Sequence, residues 1–226
     1  MSWIAVADGV FARRYEHLDQ TLGVVVGSSG CLVIDSGPDE THGAELAAEV
    51  RQITPLPWTL VITHAHFDHF FGTAPFLPCP VWAHTRCRDA IANSDPDRRA
   101  WIARYEADGD PDRARRLADA RLVLPTHVFT DHTRVDLGDR HADLIHPGRA
   151  HTDHDVLVHV PDAAVVFAGD LVEQGAPPSV GPDAHPIEWR TALDRLLALG
   201  PTVIVPGHGD PVDSAFVRTQ QATLAR

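Results

Sequence analysis

Apolar positions along the chain fall into short β-branched runs separated by glycine-, serine- and proline-rich breaks. LGVVVG at 22–27 and CLVID at 31–35 flank Ser-Ser-Gly and predict a hairpin. The period then becomes helical from Thr41 to about Ile53, with Leu46, Val50 and Ile53 on one face, Thr41 as cap, and Pro55 and Pro57 as the stop. WTLVIT at 58–63 and PVWAH at 80–84 predict two further strands, and strand patterns return at 127–129, 133–137, 142–146, 155–160 and 164–168. A helix over 187–199 offers Ile187, Leu193, Leu196, Leu197 and Leu199 to a core. TVIVPGHG at 202–209 reads as a strand running into a loop, and 214–225 as a closing helix. Strands in groups, with helices between the groups, suggest layers on mixed sheet rather than strict βαβ winding.

Residues 85–121 break the pattern. They are rich in Arg and Asp, poor in β-branched residues, and punctuated at Asp95-Pro96 and Gly109-Asp110-Pro111, which predicts two or three short helices inserted into a single domain spanning 1–226. At 226 residues and 44% hydrophobic composition the chain can bury a sizeable core without disulfides. Cys31, Cys79 and Cys87 are an odd number without Cys-x-x-Cys spacing and are expected to pack as small hydrophobes.

Charge narrows the function. A net −12 argues against a nucleic-acid partner, since phosphate binding needs clustered cations. All 19 cationic residues are Arg, which removes Schiff-base and P-loop lysine chemistry. The first residues lack a cationic start and meet Asp8 early, and no run approaches membrane-span length, so a cytoplasmic protein without a membrane partner is expected. The sequence carries no signal of oligomeric state.

Histidine stands out, with 15 copies. THAHFDH at 63–69 follows a strand, and in extended chain residues two apart point the same way, so His64 and His66 can converge on one ion. Asp68 continues the alternation, and His69 faces a neighbouring ion. PGRAHTDHD at 147–155, FAGDL at 167–171 and PGHGD at 206–210 repeat the form of a ligand-type residue in a loop beyond a strand.

In this order the four segments resemble the metallo-β-lactamase superfamily across nearly the whole chain. The resemblance implies an αββα sandwich of α/β (α+β) type. It implies a first metal on His64, His66 and His151, a second on Asp68, His69 and His208, and Asp170 between the two. Asp35 matches an acidic residue that orients the loop from behind, and His154 is a candidate for a similar supporting role. Two zinc ions per chain are expected, although nitrogen and oxygen donors also accommodate iron or manganese. Such a pair lowers the pKa of a shared water toward about 7, which implies hydrolysis of a small-molecule ester, thioester or lactone, with Asp68 also catalytic as a proton carrier. His84, Trp101, Tyr105 and Glu173 are candidates for the substrate pocket.

Asp170 stands where the cysteine-ligand β-lactamases carry Cys, and Glu173 where they carry a cation, so penicillin-type substrates are disfavoured. The 18 residues after His208 leave room for one helix, not for the added helical domain of glyoxalase II-like thioesterases. Amide hydrolysis of the β-lactamase kind and iron-dependent redox chemistry of the persulfide dioxygenase kind are the alternatives, with metal storage a third.

Overall fold

The computed structural model describes residues 3–224. The first sheet takes its strands in chain order: β1 (Ile4–Ala7), β2 (Val10–Arg14), β3 (Thr21–Val26), β4 (Cys31–Ile34), β5 (Trp58–Val61), β6 (Val81–His84) and β7 (His127–Phe129). Pairing is antiparallel from β1 to β4 and parallel from β4 to β7. Helices follow the parallel strands: α1 (Glu40–Ile53), the single turn α2 (Phe67–Phe70), and α3 (Thr85–Ala92), α4 (Asp95–Ala107) and α5 (Pro111–Asp119). The second sheet contains β8 (His132–Asp136), β9 (His141–Ile145), β10 (Leu157–Val160), β11 (Val165–Glu173) and β12 (Val203–His208), in the order β12-β11-β10-β9-β8. Its outer face carries α6 (Pro186–Ala198) and α7 (Ser214–Thr223).

Side-chain alternation builds the layers, because neighbouring residues of a strand face opposite sides. In the first sheet Val25, Leu32, Ile34 and Val61 face inward to meet Val135, Leu144, Val158 and Phe167 of the second. Their neighbours Val24, Cys31, Val33 and Leu60 face outward, onto Leu46 and Val50 of α1 and Leu117 of α5. In the second sheet Leu157, Val166 and Ile204 turn out to meet Trp189, Leu193 and Leu196 of α6. The result is the helix–sheet–sheet–helix sandwich expected from the sequence.

Several local expectations need correction. The cap of α1 is Asp39, whose carboxylate accepts the His42 N–H at 2.9 Å, and Thr41 is exposed inside the first turn. Asp39 is the earlier of the two cap-forming residues, and its extended backbone (φ −157°) lets its side chain reach back to the free amides. Ile187 is 92% exposed, because the buried stripe of α6 runs through Trp189, Ala192, Leu193 and Leu196 and leaves the first turn outside it. β11 extends past residue 168 to Glu173, all nine residues buried, so Asp170 lies in a strand and not beyond one. His208 is likewise the last residue of β12. Two strands at the start, β1 and β2, lack a pattern strong enough to announce them.

Cys31 and Cys87 are buried and Cys79 half-buried, all three as free thiols, and burial pushes Cys31 and Cys79 up to about 11. Among the described residues no helix is long and apolar enough to cross a membrane.

α1 sits unusually close to the segment that follows α2. A Cβ built on Gly43 would lie 2.0 Å from the Gly72 carbonyl oxygen, a backbone atom that cannot step aside. In an open helix Gly→Ala stabilises by about 1 kcal/mol. Here Gly43→Ala is expected to destabilise by about 1–3 kcal/mol through overpacking, measured as a drop in the urea midpoint. A rise would show that the contact is not tight.

Candidate metal centre

The strands deliver polar side chains to one place at their carboxyl ends. His64 and His66 follow β5 in extended chain, His66 capping α2 with φ −85° and ψ 146°. The extended alternation stops there: Asp68 and His69 sit on the helical turn, which brings both to the same centre. His151 comes from the loop between β9 and β10, Asp170 from β11 and His208 from the end of β12. Ligand atoms of His64, His66, His151 and Asp170 all lie within 4.8 Å of one another, as do those of Asp68, His69 and His208.

Asp170 faces both groups. Its Oδ2 is 3.6 Å from His64 Nε2, 3.5 Å from His151 Nε2 and 3.2 Å from His208 Nε2, and its Oδ1 is 3.3 Å from His69 Nε2. Asp68 Oδ2 stands 3.5 Å from His69 Nε2 and 3.4 Å from His208 Nε2.

Each of these five imidazoles has one nitrogen engaged outside the centre and the other aimed inward. His64 Nδ1 meets Thr63 Oγ1 at 3.1 Å, and His69 Nδ1 donates to Asp35 Oδ2 at 2.8 Å. His151 Nδ1 donates to the Ser179 carbonyl at 3.1 Å, and His208 Nδ1 to the Leu18 carbonyl at 2.7 Å. His66 is turned the other way: its Nε2 donates to Asp183 Oδ2 at 2.9 Å and its Nδ1 faces His151 Nε2, also at 2.9 Å. Outer hydrogen bonds of this kind fix ring orientation and leave the inner lone pair for a metal.

Inside the centre, His64 Nε2, His69 Nε2 and Asp170 Oδ1 are buried without a hydrogen-bond partner. Protein interiors rarely leave polar atoms so, and a cation between the groups satisfies all of them. The residues therefore fit bound metal.

The electrostatics agree. Burial holds His64 well below its ordinary range and His151 at about 4. For His69 and His208 burial pulls the same way, but the carboxylates of Asp170 and Asp68 outweigh it and raise both, His208 to about 10. Burial resists charge on Asp170, yet the imidazoles of His208, His69 and His64 hold it well below the carboxylate range. The centre calls for positive charge in its middle.

Support comes from behind. Asp35 Oδ1 accepts the Thr63 N–H at 2.7 Å, and its Oδ2 accepts the Thr63 hydroxyl at 2.7 Å as well as His69. His154 is buried, and its Nε2 accepts the Ala65 N–H at 3.1 Å while Nδ1 donates to Asp153 at 2.8 Å.

A cleft of about 750 Å³ opens in front of the centre, a size suited to a small molecule. Trp101 of α4 lines it, packed on Phe67 with ring centroids 4.3 Å apart. Glu173 also lines it, but its carboxylate turns aside to accept the Ser179 N–H at 2.7 Å and hydroxyl at 3.1 Å, and burial pushes it up to about 7. Glu173 anchors the following loop and does not present a charge to the reaction.

Two pocket expectations fail. Tyr105 is buried behind Phe67, with its hydroxyl 2.9 Å from His17 Nε2, because one turn of α4 beyond Trp101 the helix has turned toward the core. His84 lies under α3, away from the cleft: its Nδ1 accepts the Arg86 N–H at 3.2 Å as a helix cap, and its ring stacks on His146 at 4.3 Å. Asp183, Ser179 and the carbonyl of Leu18 carry no sequence signal, since each acts through a loop position that only the fold brings near.

The chain belongs to the metallo-β-lactamase superfamily, whose family model matches residues 18–208, and is a metallohydrolase of that superfamily. It is 28% identical to the human acyl-coenzyme A thioesterase MBLAC2 over 232 residues, 92% of this chain and 82% of that one. It is 25% identical to the type 2 metallo-β-lactamase of Bacillus cereus over 201 residues, 86% and 69% of the two chains. Among solved structures, VMB-1 superposes with a TM-score of 0.75 at 18% identity, covering 99% of this chain and 96% of that one. A metallo-β-lactamase from Pontibacter korlensis gives 0.74 at 20% identity, covering 100% and 99%.

The cap role of His84 has a pH signature. Burial, with His146 and Arg86 beside the ring, lowers its pKa from 6.5 to about 4. The folded state then binds fewer protons than the unfolded state between these values, so stability present above pH 6.5 is lost as pH falls toward 4. In metal-free protein, His84→Asn keeps a cap acceptor and is expected to shrink the difference in urea midpoint between pH 7 and pH 4.5. An unchanged difference would mean that this ring does not titrate there.

Proposed function

We propose that this protein hydrolyses neutral esters, thioesters or lactones of small molecules with a pair of zinc ions. His64, His66 and His151 would hold one ion, Asp68, His69 and His208 the other, with Asp170 between them. The observation that carries the reading is the convergence of seven ligand-type side chains, of which His64 Nε2, His69 Nε2 and Asp170 Oδ1 are buried with no hydrogen-bond partner. Such a metal pair supplies Lewis acidity and lowers the pKa of water.

The chain's own groups do the rest. Asp68 lines the cleft with Oδ2 turned to His69 and His208. Its other oxygen takes the proton of the attacking water and returns it to the departing alkoxide or thiolate as the carbonyl–oxygen or carbonyl–sulfur bond breaks. Phe67 and Trp101 form an apolar wall that orients the acyl part and keeps bulk water from it.

Charge selects among substrates. Arg98 is the one Arg among the described lining residues, and its guanidinium donates to the carbonyls of Leu117 (2.9 Å), Ala118 and Ala120 (2.7 Å) at the end of α5. Among the described lining residues no arginine is left free to meet a substrate carboxylate, as penicillins would require. The likeness to an acyl-coenzyme A thioesterase supports the thioester branch of this reading.

Protein purified without chelator is expected to contain two zinc equivalents by elemental analysis. Asp170→Asn should lower that content and slow ester hydrolysis by about 10–100-fold or more. One equivalent of iron with oxygen consumption would replace hydrolysis by the redox alternative, and an Asp170→Asn protein with full zinc and full rate would remove the bridge. For a matched pair of thioesters differing only by a carboxylate on the acyl chain, kcat/KM is expected to favour the neutral member by about tenfold, an unpaired carboxylate against the apolar Phe67–Trp101 wall costing on the order of 1.4 kcal/mol. A tenfold preference for the anionic member would defeat the charge argument.

A further inference from the structure

Between β2 and β3 the chain makes a short 3-10 turn, His17–Asp19, in which two successive residues other than glycine are left-handed: Leu18 at φ 59° and Asp19 at φ 58°. Aspartate tolerates this region through its short polar side chain, but leucine does not, because its Cβ crowds the backbone carbonyl. Such a turn persists only where its surroundings over-determine it.

They do so from three sides. The Arg14 guanidinium binds the Asp19 carboxylate through Nε and through Nη2, the latter at 3.0 Å, and reaches Asp210 through Nη1 at 2.7 Å. The Gly209 N–H donates to the Asp19 carbonyl at 2.8 Å. Tyr105 of α4 holds His17.

What the turn touches explains the strain. The carbonyl of Leu18 accepts the Nδ1 proton of His208 and so leaves His208 Nε2 to face Asp68 and Asp170. Gln20, only 1% exposed, donates Nε2 to the backbone carbonyl of Asp68. One turn near the start of the chain thus holds a residue from α2 and a residue from β12. The partners of His64, His66 and His151 lie elsewhere, on Thr63, Asp183 and Ser179.

We propose that Leu18 and Gln20, locked by the Arg14–Asp19–Asp210 clamp, are positioning residues that set the affinity of the second metal site alone, through His208 and Asp68, without supplying a ligand. The inference rests on the two-metal reading above. It makes the strained turn a device for placing two groups 140 positions apart in sequence, Asp68 and His208, in register.

The test is zinc titration of metal-free protein against a chromophoric chelator, for the wild type, Gln20→Leu and Arg14→Gln. The wild type is expected to show two binding constants. In both variants one constant should stay within about threefold while the other weakens by about 10–100-fold. The retained constant should be the one abolished by His64→Ala. Metal-free Gln20→Leu should keep the wild-type circular dichroism and melt within a few degrees of it, and it reads the same contact if Arg14→Gln does not fold. Two constants that weaken together, or neither weakening, would overturn the proposal. A wild type that binds a single ion would overturn the two-metal reading first, before any variant is compared.

Discussion

A carboxylate in a protein interior survives as an anion only if nearly all its acceptor capacity is used. Asp35 meets that condition with three donors, and every one of them belongs to Thr63 or His69, the two ends of the metal loop. It follows β4 directly, has a left-handed backbone at φ 61°, and is 2% exposed. Because it binds both the amide and the hydroxyl of Thr63, the direction in which the chain leaves β5 is set before His64 is reached. Because it also binds His69, the far end of the same loop is set too. The loop connects onward: the Thr63 carbonyl accepts the Val156 N–H of the second sheet, and the Ala65 amide rests on His154. Truncation of Asp35 would leave buried donors unpaired at both ends of the metal loop.

The layers were legible because each strand carries its alternation openly: Val24 against Val25, Val33 against Ile34, Val166 against Phe167. The ligand-type residues were legible as motifs, since His-x-His-x-Asp-His is rare and chemically pointed. Their local geometry was not. The extended reading of 64–69 holds for two residues, and then a helical turn carries Asp68 and His69 to the centre by a different route. Asp170 read as a loop residue because Gly169 looks like a turn, whereas it is a left-handed kink (φ 52°) inside a continuing strand. His84 and Tyr105 have the right chemistry on the right elements, but only packing decides which face a side chain takes. Asp183, Ser179 and Leu18 were invisible for a deeper reason. Ser179 and Leu18 act by their backbone carbonyls, which have no sequence signature, and Asp183 by a loop placement that only the fold sets.

The centre and the cleft divide the work of the molecule. In the centre each of the five imidazoles is doubly held, one nitrogen inward and one outward, and little can vary without loss. In the cleft the walls come from α4, which holds none of the ligand rings, and from the turn after β2 and the loop after β11, which also hold His208, His151 and His66 from outside. Relatives as different as an acyl-coenzyme A thioesterase and a metallo-β-lactamase share this fold. Here the opposite wall is aromatic, and its one guanidinium is spent on capping α5.

The centre draws its side chains from the whole span between Asp35 and His208, and no two neighbouring elements contain more than part of it. Local structure can form early, but β12 must lie beside β11, and the two sheets must close on each other, before His208 comes near Asp68. An ion that needs both groups would therefore meet its full site only in the closed structure. The layers themselves rest on burial of Val, Leu and Phe, while five imidazoles and two carboxylates crowd together where the strands end. An ion bound there would act as a lock, because the separated elements do not offer the full set and its binding free energy would add to the stability of the closed form.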